Sequence, residues 1–396
     1  MNTFNNFKHL SNNFCESVLA TLEKCLPSQR PINLHEPLFN GNECNYVKEC
    51  IDTTMVSSVG AFVDKFEKML MDFTGVKYAV ATVNGTSALH ICLKLAGVEP
   101  GDEVLIPALT FVATANAVSY CGAIPHLADS EEKTLGIDCN KLSDYLNEIM
   151  EIRNKTCFNR ITNRPVRAII PVHIFGHPVD MEPLLALCNR YYITVIEDAA
   201  ESIGSYYKGV HTGNWGKLSA LSFNGNKTIT TGGGGAILTN NESLGKLAKH
   251  LTTTARIPDK WNFVHDYVGY NYRLPNINAA LGCAQMEKIS EFLDKKRALA
   301  ELYKKAFANM KGLKFFIEPE FAKSNYWLNT LLLDNDKAAE KDNLLELTNS
   351  SGIMTRPAWT LMQKLPMYKQ CPKMNLASAE NIESRLINIP GSAFLV

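Results

Sequence analysis

From about residue 60 to 255 the chain alternates stretches with apolar residues at helical spacing and short apolar runs rich in Val and Ile. That alternation is the pattern of parallel strands joined by crossover helices. Ala61 to Thr74 (AFVDKFEKMLMDFT) carries the helical spacing and is closed by Gly75. Tyr78 to Val83 (YAVATV) then reads as a strand, followed by EVLI at 103–106, AIIPV at 168–172, ITVIE at 193–197, LSALSF at 218–223 and GAILT at 235–239. Helices are expected over Ser87 to Leu95, Thr114 to Cys121 and Pro183 to Tyr191. The predicted fold class is α/β, an open and mostly parallel sheet between helices, with its ligands beyond the carboxyl ends of the strands.

The texture changes from about Asn276, where a long helical stretch, roughly Ile277 to Met310, leads into shorter mixed elements up to Val396. Three regions follow: an N-terminal segment at 1–55 packing on the body, a large α/β domain at 56–275, and a smaller α+β domain at 276–396.

Charge narrows the class of partner. Lys plus Arg equal Asp plus Glu at 40 each, so there is no overall positive field of the kind that attracts nucleic acid or anionic lipid. A small molecule is the expected partner, with no nucleic acid and no membrane. The opening residues lack the basic start and apolar core of a signal peptide, and no later stretch approaches membrane-spanning length. Eleven scattered cysteines without CxxC pairs or zinc-ligand spacing suit reduced thiols in a cytoplasm.

The candidate chemistry lies at strand ends. Asn84-Gly85-Thr86-Ser87 follows the YAVATV strand and opens a helix, offering free N–H groups, a positive dipole end and two hydroxyls, as a phosphate requires. An ordinary helix N-cap would look the same. Asp198 ends the ITVIE strand; a carboxylate there needs a cation or donors. A protonated pyridinium nitrogen would serve, and so would an N-cap or a buried salt bridge. Lys227 follows the LSALSF strand and precedes four glycines, Gly232 to Gly235, in a turn that would put an amine into a cleft. An isolated lysine is otherwise a solvated surface charge. The glycine run lacks the order of a nucleotide phosphate loop and points to a turn or close backbone approach.

Taken together, NGTSALH at 84–90, TFVATANA at 110–117, VIEDAAES at 195–202, SFNGNKTITTGGGGAILT at 222–239 and GYNYRLPNINAALG at 269–282 resemble the DegT/DnrJ/EryC1/StrS family of sugar aminotransferases. The phrases YVKECIDT, VSSVGAFVDKFEK and HIFGHPVDMEPL resemble its LegC-like branch, which serves nonulosonic acid biosynthesis. The resemblance implies a fold-type-I, pyridoxal-phosphate-dependent homodimer with a seven-stranded, mostly parallel sheet. It further implies that Lys227 holds the cofactor as a Schiff base and shuttles the proton, and that Asp198 pairs with the ring nitrogen. Phe111 would stack on the ring; Thr86, Ser87 and Ser222 would hold the phosphate; Asn271 would reach the phosphate of the neighbouring subunit. Glu201 stands where Gln or His is frequent, and Gly233 where Glu is frequent, so the contact to the cofactor's 3′-oxygen at Glu201 departs from the common pattern.

The expected reaction moves an amino group from glutamate to C4 of a nucleotide-linked 4-keto-6-deoxy-N-acetylhexosamine, with UDP as the nucleotide, for nonulosonic acid or surface glycan synthesis. Two alternatives on the same fold are a sugar dehydratase and a non-catalytic sugar-nucleotide sensor. Dehydratases of this scaffold resemble the chain but carry His in place of the lysine, so Lys227 favours amino transfer. A Rossmann enzyme would need GxGxxG after the first strand, which is missing. His173 and His177 have H-x3-H spacing, but Gly176 and Pro178 interrupt the helix that would align them, and no metal is expected. Arg256, Trp261 and His265 either line the sugar-nucleotide cleft or pack as an ordinary loop.

Overall fold

The structure, a computed structural model, describes residues 3–396, with side chains from Phe14 onward; residues 1 and 2 of the N-terminal segment lie outside the described residues. Helix α1 (Thr3–Cys25) opens the chain. It presents Cys15, Val18 and Leu22, one face at helical spacing, to a core shared with residues near the carboxyl terminus. Val18 and Leu22, fully buried, each contribute about 1.5–3 kcal/mol. The N-terminal helix is thereby held to parts of the chain hundreds of residues away.

Helix α2 (Ala61–Thr74) ends where Gly75 takes the left-handed conformation, with its N–H bonded to Met71 O. Strand β1 (Tyr78–Thr82) and helix α3 (Gly85–Leu95) follow, then β2 (Glu103–Pro107), α4 (Val112–Tyr120), β3 (Ile124–Ala128), β4 (Val166–Ile169), α5 (Met181–Tyr191), β5 (Thr194–Asp198), β6 (Leu218–Ser222) and β7 (Gly235–Thr239). The seven strands form one sheet in the order β1-β7-β6-β5-β4-β2-β3. Strand β7 alone among them runs opposite, pairing antiparallel with both β1 and β6. The sheet is mostly parallel and carries helices, as the apolar periodicity predicts.

Two strands depart from that expectation. β3 has no continuous apolar run, because Pro125 and His126 interrupt IPHLA, yet it pairs with β2 over five residues. Pro125 is tolerated there because β3 is an edge of the sheet. The buried His126 ring finds Glu103 at 2.9 Å and Tyr145 at 2.9 Å, so a polar residue satisfies its position without an apolar signal. The run AIIPV begins too late as a strand: β4 spans Val166–Ile169, and Ile170 to Val172 continue past the ladder towards the site.

Helix α6 (Asn276–Phe307) is 32 residues long. Its first half packs on α2 and Phe223, and its second half faces α1 and a four-stranded antiparallel sheet. That sheet comprises β8 (Leu313–Phe315), β9 (Asn329–Leu333), β10 (Arg356–Pro357) and β11 (Leu386–Ile389), in the order β8-β9-β11-β10. All eleven cysteines are free thiols. Among the described residues no helix is long and apolar enough to cross a membrane.

Candidate active site

The carboxyl ends of β1, β2, β4, β5 and β6 converge on one cavity of about 420 Å³. Its wall contains Asn84, Gly85 and Thr86 after β1, Thr110, Phe111 and Thr114 after β2, Val172 after β4, Asp198 and Glu201 at the end of β5, and Ser222 with Lys227 after β6. Parallel strands place their ends on the same edge of a sheet, and the cavity opens where that rule puts a ligand.

Lys227 owes its position to the hairpin between β6 and β7. The chain turns out after Ser222 and returns through the glycines, tied by Phe223 N–H to Gly234 O at 2.8 Å and Thr231 N–H to Phe223 O at 3.0 Å. The Lys227 N–H donates to Asn224 O at 2.9 Å. The Lys227 amine lies 3.1 Å from Glu201 Oε1 and 3.8 Å from the centre of the Trp327 ring. Charge pairing and a cation over an aromatic face both favour that placement. The family resemblance implies a contact from Glu201 to the cofactor's 3′-oxygen and carries no sign of its pairing with the lysine.

Glu201 has a second bond: its Oε2 accepts from Phe175 N–H at 2.8 Å. Phe175 is a non-glycine residue with φ of +56°, a conformation that this buried carboxylate helps hold. Burial pushes the Glu201 carboxyl up from its usual value, against the opposing pull of the Lys227 charge.

Asp198 is pinned by its backbone, donating to Pro171 O at 2.9 Å and accepting from His173 N–H at 3.1 Å. Its side chain accepts from Thr114 Oγ1 at 2.8 Å and from Ala200 N–H at 3.2 Å. Burial pushes its carboxyl up as well, with those two donors and the more distant Lys227 charge opposing. A buried acid on a cavity wall whose direct partners are neutral has the electrostatics to receive a cationic ring nitrogen. Thr114 was missed as a site residue, although Thr110 and Thr114 stand four apart in TFVATANA and bond to each other at 2.9 Å.

The first turn of α3 forms another part of the wall. Asn84 caps it, its Oδ1 accepting the Ser87 N–H at 2.7 Å. Gly85 and Thr86 precede that bond on the cavity wall, and theirs are the amides a helix start leaves without an intrahelical acceptor. Two glycines allow the approach: a Cβ on Gly85 would meet Ser222 Cβ at 2.9 Å, and one on Gly235 would meet the Asn84 carbonyl carbon at 2.5 Å. The Ser222 hydroxyl therefore faces the helix start directly. Ser87 lies one residue further on, outside the cavity wall, with its amide taken by Asn84.

Phe111 is 50% exposed on the cavity, with its ring centre 5.8 Å from that of Trp359. Trp327 and Trp359 come from the C-terminal part of the chain, and nothing in the local sequence marked them. Asn271 sits outside this cavity on the exposed surface, its Oδ1 accepting from the Arg273 guanidinium at 2.9 Å. Arg256 and His265 share a β-bridge and Trp261 is 76% exposed, all away from the cavity wall. His173 bonds to Glu197 at 2.9 Å, and His177 packs edge-on against Phe316 and Tyr326, with burial pulling its pKa down to about 3.

The model of the DegT/DnrJ/EryC1/StrS aminotransferase family matches residues 38–395. The chain belongs to that family. It is 37% identical over 367 residues to a GDP-perosamine synthase of Caulobacter vibrioides, covering 92% of this chain and 94% of that protein. A GDP-perosamine synthase of Escherichia coli O157:H7 is 36% identical over 359 residues, with 91% and 93% covered. The solved structure of Helicobacter pylori PseC, an aminotransferase involved in pseudoaminic acid biosynthesis, superposes with a TM-score of 0.83 at 25% identity, covering 93% of this chain and 95% of that one. This DegT/DnrJ/EryC1/StrS member is a fold-type-I, pyridoxal-phosphate-dependent aminotransferase. A buried acid, an amine and a helix start with free amides on one cavity wall fit pyridoxal phosphate in the chemistry of the donor set.

Proposed function

We propose that the protein transfers an amino group from glutamate to C4 of a nucleotide-linked 4-keto-6-deoxy-N-acetylhexosamine, with UDP as the nucleotide. The observation that carries amino transfer is the Lys227 amine on the cavity wall, 3.1 Å from Glu201. A sugar dehydratase of this scaffold would lack that lysine. Asp198 would receive the ring nitrogen, Phe111 would cover the ring, and Gly85, Thr86 and Ser222 would surround the phosphate, with Ser87 set back from the wall. Bound there, pyridoxal phosphate supplies an electron sink that lets an amino group pass between two carbons.

The chain's own groups do the rest. Lys227 Nζ is the base that takes and returns the proton, and Glu201 balances its charge. Thr114 and the Ala200 amide hold the Asp198 carboxylate on the cavity wall, where it would pair with the ring nitrogen. A second cavity of about 630 Å³ shares Asn226, Trp327 and Trp359 with the first and is lined by His35, Arg356 and Asn388. It offers room for a nucleotide-linked sugar beside the reacting amine, and Arg356 offers a cation for a diphosphate.

The subunit would act as a homodimer in the cytoplasm, with Asn271, exposed and outside its own cavity, reaching the phosphate of the partner's cofactor. The LegC-like phrases of the sequence support a place in nonulosonic acid biosynthesis. The names of the two perosamine synthases favour a second reading, a GDP-linked 4-keto sugar. Purified enzyme with glutamate and a panel of UDP- and GDP-linked 4-keto sugars separates the two. Aminated product at C4 of the UDP-N-acetyl sugar is expected, identified by mass and NMR. Turnover only on GDP sugars would replace the UDP reading, and no turnover on any 4-keto sugar would sink the substrate class.

A further inference from the structure

Lys296 lies in the middle of α6, and its side chain is 1% exposed. Its amine finds no carboxylate within bonding distance among the described residues. It donates instead to Gly391 O at 2.5 Å and Trp327 O at 3.2 Å, and meets His35 Nε2 at 2.9 Å. Burial pulls its pKa down to about 7. A methionine of similar volume could fill the same space without the desolvation cost of a buried amine. What a methionine could not supply is a donor for the buried Trp327 and Gly391 carbonyls.

What the amine holds is the residue under Lys227. The Trp327 carbonyl receives Lys296, and its N–H donates to Asn325 Oδ1 at 2.7 Å. Its indole N–H donates to Asn226 O at 2.7 Å, one residue before Lys227, and its ring face lies 3.8 Å from the Lys227 amine. Asn325 in turn donates to Glu201 O at 2.9 Å. The two residues that touch the Lys227 amine, Trp327 and Glu201, thus belong to one bonded set that ends at Lys296. His35, between the two lysines, is held well below its usual pKa by burial and by both cations, so it is neutral and accepts from Lys296.

We propose that Lys296 is a positioning residue for the reacting lysine: by fixing the Trp327 backbone, with His35 and Gly391 as its other partners, it sets the pose of the indole on which Lys227 rests. The inference rests on Lys227 being the reacting lysine. It assigns to α6 and to the N-terminal segment, which supplies His35, a role at a cavity that neither of them lines. Small displacements of a reacting group are enough to matter, since an error of about 1 Å costs on the order of 100-fold in rate.

The test compares Lys296→Met, Trp327→Leu and the double variant in cofactor-loaded enzyme. Lys296→Met is expected to bind pyridoxal phosphate, to lower kcat about 10- to 100-fold with KM for the keto sugar changed less than about threefold, and to shift the pH midpoint of the visible absorbance band. Near-UV circular dichroism of the cofactor-free protein should change in the tryptophan region as the indole moves. In the Trp327→Leu background the same substitution should add less than about twofold, because the relay is already gone. Unchanged kcat and band in Lys296→Met, or full additivity in the double variant, would overturn the proposal. Should Lys296→Met fail to fold, His35→Ala leaves the amine in place with one partner removed and must show the same coupling to Trp327. Loss of the visible band in Lys227→Ala is the separate check on the underlying reading; a band that persists there faults the choice of reacting lysine and overturns the proposal with it, whatever the coupling of Lys296 to Trp327.

Discussion

Lys227 and Glu201 meet at 3.1 Å with side chains 12% and 5% exposed, a nearly buried ion pair on the wall of the site. Removing one member of such a pair leaves the other charge uncompensated. Glu201→Gln keeps the shape and can still accept the Phe175 N–H, so it should lower the stability of the cofactor-free protein by roughly 2 kcal/mol. Glu201→Ala also frees the Phe175 turn and should cost roughly 3–5 kcal/mol. Urea midpoints of the two variants decide this; equal midpoints would remove the carboxylate from the account.

Asp198 makes the opposite trade. Its carboxyl is raised in the folded protein, so between the unfolded value, about 3.9, and that raised value the folded chain holds a proton the unfolded chain has released. The stability from this group is present below the unfolded value and lost as pH rises through the folded one. Asp198→Asn should flatten that fall and stabilise the cofactor-free protein at pH 8 by about 1–3 kcal/mol, while weakening cofactor binding at least about tenfold. Thermal melts of free and loaded protein across pH read both effects.

The phosphate end is tested by removing one hydroxyl and adding one methyl. Ser222→Ala should weaken cofactor affinity by about 1.5–3 kcal/mol, the value of a hydrogen bond to a charged group. Gly85→Ala should do more, because its Cβ would lie 2.9 Å from Ser222 Cβ and force the helix start away. Equilibrium dialysis of the cofactor-free variants measures the two, and an unaffected Gly85→Ala would place the phosphate elsewhere.

A shared site makes a further prediction. Asn271→Ala and Lys227→Ala chains, unfolded and refolded together, should regain activity that neither shows alone, since each mixed dimer holds one site with Lys227 and the partner's Asn271. Random pairing restores up to about a quarter of the sites. No recovery with mixed dimers demonstrated by mass would confine the site to one subunit.

Much of this was legible in the sequence because parallel strands buried on both faces are written as plain apolar runs, and their polar exits stand out. Asp198, Ser222 and Lys227 each follow such a run. The edge strand Ile124–Ala128 was hidden because Pro125 and a bonded His126 replace the apolar signal. Trp327 and Trp359 were hidden for another reason: they flank strands of the smaller C-terminal sheet, Asn329–Leu333 and Arg356–Pro357, and only packing brings them to a cavity built on the large one. Glu201 was visible as a departure from the common residue, but its pairing with Lys227 depends on a side-chain direction that no spacing encodes.

The central claim is that Lys227 is the lysine that holds the cofactor. Borohydride reduction of the loaded enzyme, followed by peptide mass mapping, tests it most directly. The account predicts the reduced pyridoxyl mass on the peptide containing Lys227, and no labelled peptide in Lys227→Ala. The same mass on any other lysine, the buried Lys296 included, would contradict it.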